Sequence, residues 1–99
     1  MKVTKTPEGE GLRIRVAGRL DMASAMALEE ELLPEADNCS VFLLDFSELE
    51  YISSAGIRTL LALYRKVSPK QGSVSILNAC EQVREILEET EFDELFNMN

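Results

Sequence analysis

Ser53 and Ser54 sit in the stretch Glu50-Tyr51-Ile52-Ser53-Ser54-Ala55-Gly56-Ile57, between an apolar aromatic segment and an amphipathic helix. Hydroxyls at such a strand-to-helix junction serve one of two chemistries. They accept hydrogen bonds from the unpaired N–H groups of the first helical turn, which is ordinary capping. The same helix end carries partial positive charge and free donors, so a phosphate on a serine there is accommodated without unfolding the domain. That phosphate adds about −1.5 to −2 charges, and a partner docking on the spot is repelled. Capping by itself accounts for the serines, so both readings stay open at this point.

Other chemistries find little material. The chain has no histidine, which removes the commonest general base and the commonest metal ligand together. A nucleophilic serine needs a base beside it, and no lysine lies near Ser53 or Ser54 in sequence. Ser-Ser-Ala-Gly also departs from the G-x-S-x-G elbow of hydrolases, and the G-x-x-x-x-G-K-[ST] phosphate loop is absent. Acidic residues are plentiful, but on helix faces where solvation explains them. Cys39 and Cys80 are far apart and form no C-x-x-C pair, so neither a disulfide framework nor a zinc site is expected. The expectation is a binding protein without catalysis, cofactor or metal.

The elements that must position the serines follow from periodicity. Leu12-Arg13-Ile14-Arg15-Val16 alternates as a half-buried strand does, with Lys2 to Thr6 as its hairpin partner and Pro7-Glu8-Gly9-Glu10-Gly11 as the turn. Gly18-Arg19-Leu20-Asp21 then breaks the pattern, and Asp21 is placed to cap a helix. In that helix Met22, Ala25, Leu28 and Leu32 recur at helical spacing, Glu29, Glu30 and Glu31 face water, and Pro34 ends it. Val41-Phe42-Leu43-Leu44 is a continuous apolar run, read as a strand buried on both faces. Ile57, Leu60, Leu61 and Tyr64 form the apolar face of the helix after the serines, with Arg58, Arg65 and Lys66 off that face. Val74 and Ile76 mark another strand, and Val83, Ile86 and Leu87 a third helix with Glu81, Glu85, Glu88 and Glu89 exposed. The tail from Phe92 to Asn99 carries Phe92, Leu95 and Phe96, expected to tuck onto the core. The order strand, strand, helix, strand, helix, strand, helix predicts an α/β fold, a mixed and mostly parallel sheet with helices packed on it.

At 99 residues the chain reads as one domain. Eighteen acidic against ten basic residues leave a net charge of −8. Nucleic acid and anionic membrane surfaces are therefore expected to be repelled, and a basic protein partner suits the balance better. The N-terminal Met1-Lys2-Val3-Thr4-Lys5 lacks an apolar signal core, and no apolar run approaches bilayer length. The expected location is the cytoplasm, without membrane insertion.

Together these residues resemble a known family. Asp45-Phe46-Ser47 followed after five residues by Ser53-Ser54-Ala55-Gly56-Ile57 is similar to the STAS domain of anti-sigma factor antagonists. Gly18-Arg19-Leu20-Asp21 resembles the family's G-x-L-D turn. Leu77-Asn78, Val83-Arg84-Glu85-Ile86-Leu87 and Phe92-Asp93-Glu94-Leu95-Phe96 fit as well, so the resemblance covers nearly the whole chain, residues 1–99. It implies a partner switch. The unphosphorylated protein binds an anti-sigma factor that is itself an ATP-dependent serine kinase; phosphorylation at the start of the second helix ends the complex; a PPM-type serine phosphatase restores the active form. Carried over by the glycine, the phosphorylated residue is Ser54. Ser53 stands where the family usually has aspartate and is the alternative acceptor. The implied partner surface comprises Asp21, Ser53, Ser54, Ala55, Gly56, Ile57 and Arg58. Many members continue into a further helix where this sequence stops at Asn99. Other STAS domains imply other roles, either a constitutive interaction subunit of an ABC-type lipid transport system or a small-molecule-binding module.

Overall fold

Alternation in the strands decides which way the sheet faces. In the computed structural model, which describes residues 1–98 and only the backbone at Phe92, Ile14 and Val16 of β2 (Gly11–Leu20), Phe42 and Leu44 of β3 (Val41–Asp45), and Val74 and Ile76 of β5 (Ser73–Leu77) are all fully buried. They lie side by side, because β2 and β3 pair in parallel with Ile14 opposite Leu44, and β3 and β5 pair in parallel with Phe42 opposite Val74 and Leu44 opposite Ile76. Successive side chains point to opposite faces, so the other face carries Arg13, Leu43 and Ser75, all half-buried. The sheet therefore buries one face under helices. This corrects the reading of Val41–Leu44 as buried on both sides. Val41 and Leu43 lie on the half-open face, where the polar neighbours Arg13 and Ser75 need water.

The full order is β1 (Lys2–Glu8), β2, α1 (Met22–Leu32), β3, β4 (Leu49–Ile52), α2 (Ser54–Val67), β5, α3 (Glu81–Glu89) and β6 (Asn97–Met98), with 3-10 turns at Leu33–Asp37, Ser68–Lys70 and Phe92–Glu94. In the main sheet the strands run β1-β2-β3-β5-β6, with β1 antiparallel to β2 and the rest parallel. The β1–β2 turn is shorter than expected. Only Gly9-Glu10 lies between the strands, with Gly9 at φ +60, and Pro7 pairs with Leu12 inside the ladder. A proline is tolerated there because β1 is an edge strand.

Two departures near the serines matter most. First, β2 does not stop before Gly18. Gly18 takes φ +103, the register shifts between Gly18 and Arg19, and the strand continues to Leu20. Its first half pairs with β3 and its second half with β4, in parallel, with Arg19 opposite Tyr51 and Leu20 opposite Ile52. Second, β4 is a separate short strand, as β6 is near the C-terminus; neither was distinguished by periodicity. Four residues and two are too few for a period to register.

The helices bring Ala25, Leu28 and Leu32 of α1, Ile57, Leu60, Leu61, Leu63 and Val67 of α2, and Val83 and Leu87 of α3 into one core with the sheet. Met22, expected on the apolar face of α1, is instead 72% exposed; the face of α1 that enters the core begins one turn later, at Ala25. Phe96 is buried and meets Tyr64 edge-on, with ring centroids 6.1 Å apart, whereas Leu95 points outward at 40% exposure. The expected positions of the Phe92 side chain and of Asn99 lie outside the described residues. Among the described residues no helix is long and apolar enough to cross a membrane.

Candidate functional site

Leu20 and Ile52 are paired neighbours on parallel strands, and each is followed at once by a helix. This register places the starts of α1 and α2 side by side at one end of the sheet. The Ser53 N–H donates to the Leu20 carbonyl at 2.8 Å and ties the two junctions together. Asp21 caps α1 and Ser53 caps α2, both with extended backbones.

The two caps differ in how fully they are occupied. The Asp21 carboxylate accepts from the Ser24 N–H at 3.0 Å and from the Ser24 hydroxyl at 2.9 Å, while the Asp21 N–H donates to the Ser24 oxygen at 2.9 Å. This is a capping box with serine in place of the usual glutamate. The Ser24 backbone bond, then its hydroxyl, holds the Asp21 carboxyl below the usual aspartate range, so the group carries a negative charge near neutral pH. The spacing Asp21-x-x-Ser24 is the sequence signal for this box, beyond the cap expected from Asp21 alone. At α2 the Ser53 oxygen accepts from the Gly56 N–H at 3.2 Å, and the Ile57 N–H donates to the Ser53 carbonyl at 3.0 Å.

Ser54 is the first residue of α2 and is exposed. Its hydroxyl makes no hydrogen bond among the described residues. The two adjacent serines therefore have separate tasks: Ser53 is the cap, and Ser54 presents a free hydroxyl on the surface.

Gly56 is where α2 lies closest to the strands. A Cβ added there would stand 2.8 Å from Leu20 Cγ and 2.9 Å from Ile52 Cγ1. Gly56 and Ile57 are buried, so they shape the expected partner surface from below, while Asp21, Ser54 and Arg58 are exposed on it and Ser53 and Ala55 are half-buried. The neighbouring Arg19 guanidinium lies 4.5 Å from the centroid of the Tyr51 ring, a cation–π contact between paired strand residues. That contact depends on the β2–β4 pairing and had no signal in the sequence.

A second fixed point lies at the C-terminal end of β3. Asp45 is buried and accepts from the Ser47 N–H at 3.0 Å, Arg13 Nη2 at 3.0 Å and Asn78 Nδ2 at 3.4 Å. Burial pushes its carboxyl up, but the bonds from Ser47, Arg13 and Asn78 outweigh it and hold the group at about 2. Asp45 is a tie between β2, β3 and the turn after β5, so the Asp45-Phe46-Ser47 motif has a structural explanation. Among the described residues no three His, Cys, Asp or Glu side chains converge as a metal site. Both cysteines are free; the half-buried Cys39 lies 3.1 Å from the Val41 carbonyl and Cys80 is exposed.

Comparison with known proteins agrees with this fold. The family profile described as Mlab, STAS domain matches residues 3–97. The chain is 32% identical over 97 residues to BtrV of Bordetella bronchiseptica, named as an anti-sigma factor antagonist, covering 97% of this chain and 84% of that one. It is 22% identical over 88 residues to the anti-sigma-B factor antagonist of Bacillus subtilis, covering 89% and 81%. Among solved structures it superposes on the anti-sigma factor antagonist SpoIIAA in its unphosphorylated form with a TM-score of 0.80 at 18% identity, over 99% of this chain and 87% of that one. SpoIIAA of Bacillus in its phosphorylated form superposes with a TM-score of 0.78 at 16% identity, over 99% and 91%.

Proposed function

The chain belongs to the STAS domain family, and from that premise we propose that it is an anti-sigma factor antagonist that switches partners through phosphorylation of Ser54. In this reading it acts in the cytoplasm by binding, without catalysis of its own. The unphosphorylated form holds an anti-sigma factor that is also a serine kinase. Transfer of phosphate to Ser54 ends the complex, and a PPM-type serine phosphatase reverses it.

The observation that carries the choice of Ser54 is the division of labour at the start of α2. Modifying Ser53 would turn the oxygen that accepts from the Gly56 N–H into a bulky phosphate ester at a half-buried position, so the cap would have to rearrange. Modifying Ser54 leaves that cap intact and sets the phosphate at a helix N-terminus, where dipole and donors favour it. Arg58 follows one turn later on the same helix and is exposed, and positions four apart on a helix are neighbours. The domain therefore tolerates the added charge, and the effect falls on the partner. The surface it docks on already carries the ionised Asp21, so about two further negative charges change its sign balance locally.

The test is the intact mass, with peptide mapping, of the wild type and of Ser54→Ala and Ser53→Ala variants isolated from native cells under growth and under stress. The expected result is a single condition-dependent phosphate, lost in Ser54→Ala and retained in Ser53→Ala. A phosphate that survives Ser54→Ala and disappears with Ser53→Ala moves the switch by one residue. No phosphate under any condition overturns the switch and favours a constitutive interaction subunit, such as one of an ABC-type lipid transport system.

A further inference from the structure

Helix α1 leaves two methionines in water. Met22 is 72% and Met26 65% exposed, and four residues apart they share one face. That face is one wall of an open groove of about 440 Å³ whose other wall is α2, through Ala55, Arg58 and Arg65. The groove continues past Met26 and Glu29 into a second depression of about 340 Å³ floored by Leu33 and Pro34. The two walls run side by side from the same end of the sheet, because β2 and β4 are parallel and each feeds one helix.

The charges on the walls are unequal. Lys5, Arg13, Arg15 and Lys66 all have carboxylate partners. Arg58 and Arg65 have none among the described residues, on a chain with eight surplus negative charges. Glu29 lines the same groove and does not reach them; with Glu30 it makes the α1 wall acidic. The result is a methionine-lined α1 wall with an acidic edge at Glu29 and Glu30, facing a basic α2 wall.

We propose that this groove receives an amphipathic helix of a partner protein, with its apolar ridge on Met22 and Met26 and its carboxylates on Arg58 and Arg65. Methionine suits this wall, since its unbranched, polarisable side chain adapts to the ridge it meets. The occupant is a lone helix rather than a second copy. Two chains of net charge −8 repel, whereas a helix with one acidic and one basic edge matches both walls. The inference rests on the partner-binding reading above and extends its surface along the helices, away from the serines.

The probe is a blocked, three-turn helical peptide with a leucine ridge, glutamates on one edge and lysines on the other, titrated into unphosphorylated full-length protein carrying 13C-methyl methionine. The expected result is perturbation of the Met22 and Met26 methyl signals, with Met1 and Met98 unmoved. Replacing the peptide's glutamates by glutamine should weaken binding about tenfold at low salt. The double variant Arg58→Glu/Arg65→Glu should abolish that preference. Equal affinity for the two peptides, or perturbation mapping elsewhere, overturns the proposal. So does concentration-dependent perturbation of the same methyls without peptide, with dimer mass in sedimentation, which would assign the groove to a second copy. Because the protein is unphosphorylated throughout, failure here leaves the Ser54 reading standing, and absence of phosphate in cells leaves the groove standing.

Discussion

Ser53 and Ser54 are chemically identical and structurally opposite. The Ser53 oxygen satisfies a backbone donor of α2, while Ser54 faces water. Ser53→Ala should cost about 1 kcal/mol, the usual price of a lost cap, and lower the melting temperature by roughly 4–8 °C. Ser54→Ala should stay within about 0.5 kcal/mol of wild type. Parallel urea denaturation of the two variants decides this; equal losses would show that the cap is shared. Gly56 is the second residue whose identity is set by contact. Gly56→Ala must push Leu20 or Ile52 aside, and overpacking of this kind typically costs about 1–3 kcal/mol. An unchanged denaturation midpoint would mean that α2 moves off the strands at no cost.

At the scale of elements, Asp45 ties strands that are distant in sequence. It holds Arg13 of β2 and Asn78 beyond β5 from its place on β3, and Asn78 takes the left-handed conformation at φ +60 that asparagine tolerates better than most residues. The folded carboxyl titrates at about 2, below the ordinary value of about 3.9. Between these values the unfolded chain binds more protons than the folded one, so stability falls as pH falls. The contribution is fully present above about pH 5, amounts to roughly 2 kcal/mol, and disappears on approach to pH 2. Asp45→Asn should therefore destabilise the protein at pH 7 and flatten its acid limb between pH 5 and 2. Chemical denaturation across that range reads both effects. An acid limb as steep as wild type would assign the acid sensitivity to other carboxylates.

For the molecule as a whole the dominant electrostatic fact is the charge of −8. Self-repulsion of that size destabilises the compact state and is screened by salt. Raising NaCl from about 0.01 M, where the screening length is about 30 Å, to about 0.15 M, where it is about 8 Å, should raise the melting temperature. The surface ion pairs, such as Lys5 with Glu31 and Glu35, weaken under the same change but contribute little individually. A melting temperature that falls with salt would reverse this ranking and make the ion pairs the larger effect.

Much of this architecture was legible in the order of residues. The three helices, the β1–β2 hairpin, β3 and β5 show their periods, because a buried face repeats its apolar residues every two or 3.6 positions. The Asp21 cap and the small residues before α2 were legible for the same local reason. Tertiary structure decided what depends on neighbours remote in sequence. It bent β2 past Gly18 so that one strand pairs with both β3 and β4, and it laid the two helix starts side by side. It left Met22 in water, since a helix face is buried only where another element covers it. It also separated two adjacent serines into a cap and a free hydroxyl, because which oxygen meets the Gly56 N–H depends on where the preceding strand ends.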